Sequence, residues 1–256
     1  MITSTSNPRI KNLVLLEKKA KERREQGVFL AEGRKMAEEA PKEWIRELYV
    51  SESYFKENSG SFRGMECEVL SDHVMKAVAD TRTPQGILAV VSIPQWDFSN
   101  AAEDEKGTYL FLEDIQDPGN LGTMLRSGEA AGITAVIASR ETVDLYNPKT
   151  VRATMGSIYR VPFFTADDFK QTICDMKQKK TMLYAAHLKG SQLYDEPDYS
   201  QKCGFLIGNE GKGLKEETAV LADAYIRIPM EGKVESLNAA IAASVLMYEA
   251  NRQKRR

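Results

Sequence analysis

Five apolar runs of strand length alternate with helical stretches in the second half of the chain, and this alternation constrains the fold most. The runs are TYLFLEDI, TAVIASR, TMLYAAHL, GFLIG and YIRIP. Between them, GNLGTMLRSGEAAG, PKTVRATMGSIYR and DDFKQTICDMKQKK read as helices. The first has small residues that suit close packing on a sheet. The second has proline in its first turn, and the third has the acidic start and basic end that a helix dipole favours. A last helix, SLNAAIAASVLMYEANRQ, is expected to be capped by Ser236, with Leu237, Ile241, Val245 and Tyr248 on one stripe. Apolar strands joined through helices predict a largely parallel sheet covered on both faces. Ligands of such sheets bind outside the carboxyl ends of the strands.

The first 92 residues alternate in the same way, with GVFLAEG, RELYVSE, CEVLS and GILAVVS as strand-like runs and DHVMKAVAD as a helix. They predict a smaller α/β domain. The polar, acidic stretch IPQWDFSNAAEDEKGT, residues 93–108, has no sustained period and separates the two halves. The expected organisation is a domain over 1–92, a linker over 93–107 and a second domain over 108–256.

Composition excludes more than it selects. With 35 Lys and Arg against 37 Asp and Glu, the net charge of −2 gives no global nucleic-acid signal. Locally, Arg9, Lys11, Lys18, Lys19, Lys21, Arg23 and Arg24 crowd one segment, and the chain ends in NRQKRR. Both a solvated helix face and an RNA-contacting patch fit that pattern. Cys67, Cys174 and Cys203 are far apart, and only His73 and His187 accompany them, so no metal site is expected. No apolar run approaches a membrane span and the N-terminus lacks a signal core, which makes the cytoplasm the expected compartment.

The stretch GFLIGNEGKGLKEE resembles a phosphate loop only superficially. Gly208 and Gly213 have phosphate-loop spacing, but Leu214 follows, where lysine and a hydroxyl would be needed. Gly208, Gly211 and Gly213 also run in the reverse order of the dinucleotide fingerprint. The glycines therefore either turn a corner or admit a phosphate-free ligand close to the backbone.

Three blocks together carry a resemblance. LEDIQDPGNLGTMLRSGEAAG contains Asn120, Arg126 and Gly132; FLIGNEGKGL contains Gly208, Glu210, Gly211 and Gly213; and IRIPMEGKVESLNAAIAASVLMYE contains Pro229, Met230, Ser236, Leu237 and Asn238. In this order they resemble the signature motifs of the SpoU (TrmH-like) RNA ribose 2′-O-methyltransferases of the SPOUT superfamily, over residues 107–250. FLAEGRKMAEEA and TPQGILAVV resemble the L30e-like substrate-binding domain of rRNA-modifying members. The resemblance implies an α/β-knot with a deep trefoil knot, S-adenosylmethionine (AdoMet) as methyl donor, RNA as substrate and a homodimer with active sites near the interface. A 23S-type rRNA is favoured over tRNA.

Carried over residue by residue, the resemblance implies cofactor contacts at Gly208, Ile228, Leu237 and Ala186, and a catalytic group of Asn120, Arg126, Glu210, Ser236 and Asn238. In the implied reaction a ribose 2′-oxygen displaces the sulfonium methyl in line, with alignment supplying much of the rate. An arginine is too basic to take the hydroxyl proton readily. Arg126 is therefore expected to stay charged, gripping a phosphate and stabilising the developing alkoxide. Lys18, Lys19, Arg23, Arg24, Arg152 and Arg160 are candidate RNA contacts. The alternatives are a non-catalytic RNA-binding protein with an inactive knotted domain, and a SPOUT enzyme that methylates a base.

Overall fold

The structure is a computed structural model that describes residues 1–58, 66–188 and 190–255. In chain order its elements begin with α1 (Pro8–Lys18), α2 (Ala20–Gln26), β1 (Val28–Glu32), α3 (Arg34–Glu39), β2 (Ile45–Ser51), α4 (Glu52–Glu57), β3 (Glu68–Leu70), α5 (Asp72–Val78) and β4 (Ile87–Ser92). They continue with α6 (Phe98–Ala102), β5 (Thr108–Leu112), α7 (Pro118–Ala131), β6 (Ala135–Ala138), α8 (Pro148–Thr154), β7 (Phe163–Thr165) and α9 (Phe169–Gln178). The last are β8 (Met182–Ala186), β9 (Gln192–Leu193), β10 (Cys203–Ile207), α10 (Glu216–Ala219), β11 (Ala224–Arg227) and α11 (Ala239–Lys254). Two compact units result. One comprises 1–95 with 144–159, the other 96–143 with 160–256.

The first unit holds a four-stranded sheet in the order β1-β4-β2-β3. β4 runs antiparallel to both neighbours, and β2 and β3 are parallel. Ile10, Leu13 and Leu16 follow helical spacing on α1 and are buried with Val74, Met75 and Val78 of α5. Asn7 caps α1 by accepting the Arg9 N–H, ahead of Pro8 at the first turn.

Segment 144–159 belongs to this unit although its neighbours in sequence belong to the other. Asn147 caps α8 and Pro148 opens it, while Met155 ends it in the left-handed region at φ 51°, so the helix is shorter than PKTVRATMGSIYR suggests. The Tyr159 hydroxyl donates to the Met36 carbonyl at 2.8 Å, and the Phe29 and Tyr146 rings lie 5.1 Å apart.

The same segment removes two arginines from the expected RNA surface. Arg23 is only 3% exposed: its guanidinium reaches Asp144 at 2.6 Å and donates to the carbonyls of Leu16 and Glu17. Arg152 sits 2.5 Å from Asp80 and 3.8 Å from Glu32. These three ion pairs tie 144–159 to the rest of the unit. Lys18, Lys19 and Arg24 are exposed.

The second unit is a seven-stranded sheet in the order β7-β6-β5-β10-β8-β11-β9, parallel at every pairing. β5 and β10 are buried along their whole length, as central strands covered on both faces should be. α7 and α11 pack on each other. The small residues of α7 serve this helix contact: a side chain on Gly128 would collide with Ile133 and meet Met247 of α11.

Two expectations for α11 need correction. Its cap is Asn238, whose side chain accepts the N–H groups of Ala240 and Ile241; Ser236 lies outside the helix. The buried face is Ala240, Ala243, Leu246, Met247 and Ala250, whereas Ile241 and Tyr248 are 49% and 47% exposed. An alanine-rich helix can bury one face against α7 and leave a second apolar stripe outside.

Replacing Arg23 by Ala strands a carboxylate and two carbonyls. It should cost about 2–3 kcal/mol in urea unfolding, a breaking-pair value discounted for the partial exposure of Asp144. Arg24→Ala should stay within about 0.5 kcal/mol of the parent.

Candidate active site

The loops after β5, β8, β10 and β11 lie where a parallel sheet binds ligands. The loop after β10 is shaped by its own bonds. Asn209 and Gly213 exchange both backbone hydrogen bonds, at 3.1 and 2.9 Å, and Asn209 Oδ1 accepts the N–H groups of Gly211 and Lys212. Gly213 has φ 69°, and a Cβ on Gly208 would overlap the backbone of Gly213 and Leu214. These two glycines therefore turn and close the loop, and both also line the cavity beside it.

The β5 loop is locked to the β10 loop. Asp114 takes φ 55° at the strand end, and its carbonyl accepts from Asn209 Nδ2 at 2.8 Å and Gln116 Nε2 at 3.1 Å. Its carboxylate meets Lys215 Nζ at 2.7 Å and the Ser139 hydroxyl at 2.8 Å. Burial pushes that carboxyl upward, but these two partners outweigh burial and hold it below the usual range. The buried Glu113 accepts the Lys215 N–H at 2.8 Å and the Thr218 hydroxyl.

Glu210 completes the lock. One carboxylate oxygen accepts the Asp117 N–H at 3.1 Å and Asn120 Nδ2 at 2.9 Å; the other accepts the Gln116 N–H at 3.1 Å. Desolvation raises its pKa, and the hydrogen bonds from Asn120 and the backbone more than reverse that, so the group is held ionised below the ordinary carboxylate range. Asn238 Nδ2 in turn donates to Asn120 Oδ1 at 3.0 Å. Three residues from three separate sequence blocks thus form one chain.

Beside it lies a cavity of about 620 Å³, within the range typical of cofactor sites. Ala186, Gly208, Ile228, Leu237, Glu210 and Ser236 all line it. Among the described residues, nothing in the chain hydrogen-bonds the backbone groups of Gly208, Ile228 or Leu237, which leaves them for a ligand. Ile207, Leu214, Ile226 and Leu246 give the wall its aliphatic part, beside polar residues that include Asn209, Lys212 and Arg227. Free backbone donors and acceptors against this partly aliphatic wall fit a nucleoside-like cofactor without phosphates.

Arg126 stands apart. It is exposed in the third turn of α7, outside the cavity lining, with no ion pair among the described residues. Six helical residues carry it about 240° around the axis from Asn120, so the two do not share a face. Arg160 forks onto Glu129, with Nη2 at 3.1 Å from the carboxylate, and so already has an anionic partner within its own unit.

Residues 107–248 match the SpoU rRNA Methylase family, and residues 7–89 match the MRM3-like substrate binding domain. The chain belongs to the SpoU rRNA methylase family. It is 33% identical over 249 residues to the 23S rRNA (guanosine(2553)-2′-O)-methyltransferase RlmP of Bacillus subtilis, covering 96% of this chain and 97% of that one. An AdoMet-bound rRNA methyltransferase from Sinorhizobium meliloti superposes with a TM-score of 0.84 at 32% identity, covering 98% and 97% of the two chains. The SpoU methyltransferase AviRb from Streptomyces viridochromogenes, in complex with AdoMet, gives 0.87 at 26% identity over 97% and 98%. AdoMet is the cofactor of this family fold. No cluster of potential metal ligands occurs among the described residues, and no helix among them is long and apolar enough to cross a membrane.

Sequence reasoning missed Glu113, Asp114, Asn209 and Lys215, the ties beneath the site. Only the polar run after an apolar strand could have signalled the first two. A Gly208→Ala change should force the β10 loop open and weaken AdoMet binding at least about tenfold in calorimetric titration, since overpacking costs about 1–3 kcal/mol. Unchanged affinity would mean that the loop yields without cost.

Proposed function

We propose that the protein transfers a methyl group from AdoMet to a ribose 2′-hydroxyl of a 23S-type rRNA. The observation that supports this best is the cavity lined by Glu210, to which Asn120 and Asn238 are joined by hydrogen bonds, with backbone lining it at Gly208, Ile228 and Leu237. Bound AdoMet supplies an activated methyl group. The residues of this chain supply alignment: backbone groups at Gly208, Ile228 and Leu237 hold the nucleoside part, and Ala186 closes one wall. Ser236 faces the cavity from the β11–α11 loop and orients the incoming nucleotide. Arg126 binds a phosphate of that nucleotide through its guanidinium and stabilises charge developing on the 2′-oxygen.

A homodimer belongs to this reading. α11 gives Ala239, Ala242 and Leu246 to the cavity and leaves Ile241 and Tyr248 exposed, so a second copy seated on that stripe would lie beside the cavity. Such a neighbour gives Arg126 a site to serve. The trefoil knot of the resemblance and a cytoplasmic location are part of the same reading. The exposed Lys18, Lys19 and Arg24 add salt-sensitive phosphate contacts without choosing a base.

Labelled-methyl AdoMet, the purified protein and rRNA lacking the modification should yield one alkali-resistant linkage, because alkali cannot cleave beside a 2′-O-methyl group. Label without resistance would indicate base methylation. Absence of both label and AdoMet binding would favour a non-catalytic RNA-binding protein.

A further inference from the structure

The hydrogen bonds joining Glu210, Asn120 and Asn238 have a direction that is fixed at both ends by backbone. At one end, Asn238 Oδ1 accepts the N–H groups of Ala240 at 2.9 Å and Ile241 at 3.3 Å. Backbone N–H groups cannot accept, so this oxygen cannot exchange places with its nitrogen. At the other end, the Gln116 and Asp117 N–H groups require an acceptor, which Glu210 provides. Between them, Asn238 must donate to Asn120, and Asn120 must donate to Glu210. Each amide has spent its oxygen and one N–H, and among the described residues nothing accepts the second N–H of either.

We infer that Asn120 and Asn238 present only hydrogen-bond donors to the target nucleotide, and that Glu210 is the positioning residue that polarises them rather than the proton acceptor. Their ligand is an acceptor oxygen of the nucleotide, on the ribose or on a flanking phosphate. This rests on the methyltransferase reading above. Asn238 is exposed and Asn120 half-buried, and both are joined by hydrogen bonds to Glu210, which lines the cavity, so a nucleotide can reach them. Glu210 is held ionised with three N–H partners on its two oxygens, which makes it a poor base for a sugar hydroxyl. The proton of the 2′-hydroxyl is therefore accepted outside this trio.

Asn238→Asp separates this role from helix capping. Aspartate caps a helix as well as asparagine does, but it has no N–H for Asn120 or for substrate. The variant should melt within about 2 °C of the parent, because a retained cap costs little. Its kcat on rRNA should fall on the order of 100-fold, the scale of losing one oriented donor at a developing charge. KM for AdoMet should change less than threefold. Parent-like kcat would reduce Asn238 to a cap and overturn the inference.

A second readout does not need turnover. Side-chain amide NMR of the whole protein should show one slowly and one rapidly exchanging hydrogen on each of Asn120 and Asn238, with the Asn120 asymmetry lost in Glu210→Leu, which has no acceptor oxygen. Equal exchange of both hydrogens in the parent would overturn the relay even if no RNA is methylated; an intact asymmetry without any methylation would indict the methyltransferase reading instead.

Discussion

The carboxylate of Glu210 is the interaction on which the site depends. It lies on the loop after β10, yet its partners are the N–H groups of Gln116 and Asp117 and the amide of Asn120, at the start of α7. Helix N-termini leave N–H groups without intrahelical partners and favour negative charge there. Glu210 satisfies such donors from a distant segment, while Asp117 caps the helix locally through the Asn120 N–H. One side chain thereby joins two adjacent strands and the first turn of α7. Through Asn120 the bond continues to Asn238 and the start of α11.

Beneath this tie is a second layer that sets its geometry. Asp114 adopts a backbone conformation unfavourable for a residue with a side chain, and its contacts with Ser139, Lys215 and Asn209 hold it there. The same Asn209 closes the β10 loop on itself. The two loops therefore have little freedom to move independently. That suits a reaction whose donor is already activated, because alignment is then most of what the protein must supply.

The parallel sheet was legible because its strands are short apolar runs, and both β5 and β10 are buried throughout. The site was legible as three separate blocks, and the fold joins Asn120, Glu210 and Asn238 into one chain of bonds. Other features were not legible, for identifiable reasons. Ser236 and Asn238 are both good caps two positions apart, and only backbone geometry selects Asn238. The stripe through Ile241 and Tyr248 has helical spacing, but alanines on another face pack closer to α7. Arg23 looks like its exposed neighbours Lys18, Lys19 and Arg24 until Asp144, far away in sequence, is brought beside it. The membership of 144–159 in the first unit has the same origin, since ion pairs, a hydrogen bond and aromatic contacts between residues distant in sequence leave no local pattern.

The most direct test of this account is amide hydrogen exchange with and without AdoMet. Backbone groups of the loops after β10 and β11 are the proposed cofactor contacts, so AdoMet should slow exchange at the Gly208, Ile228 and Leu237 amides above all others. Unchanged exchange at those three amides, with protection elsewhere in the chain, would contradict it.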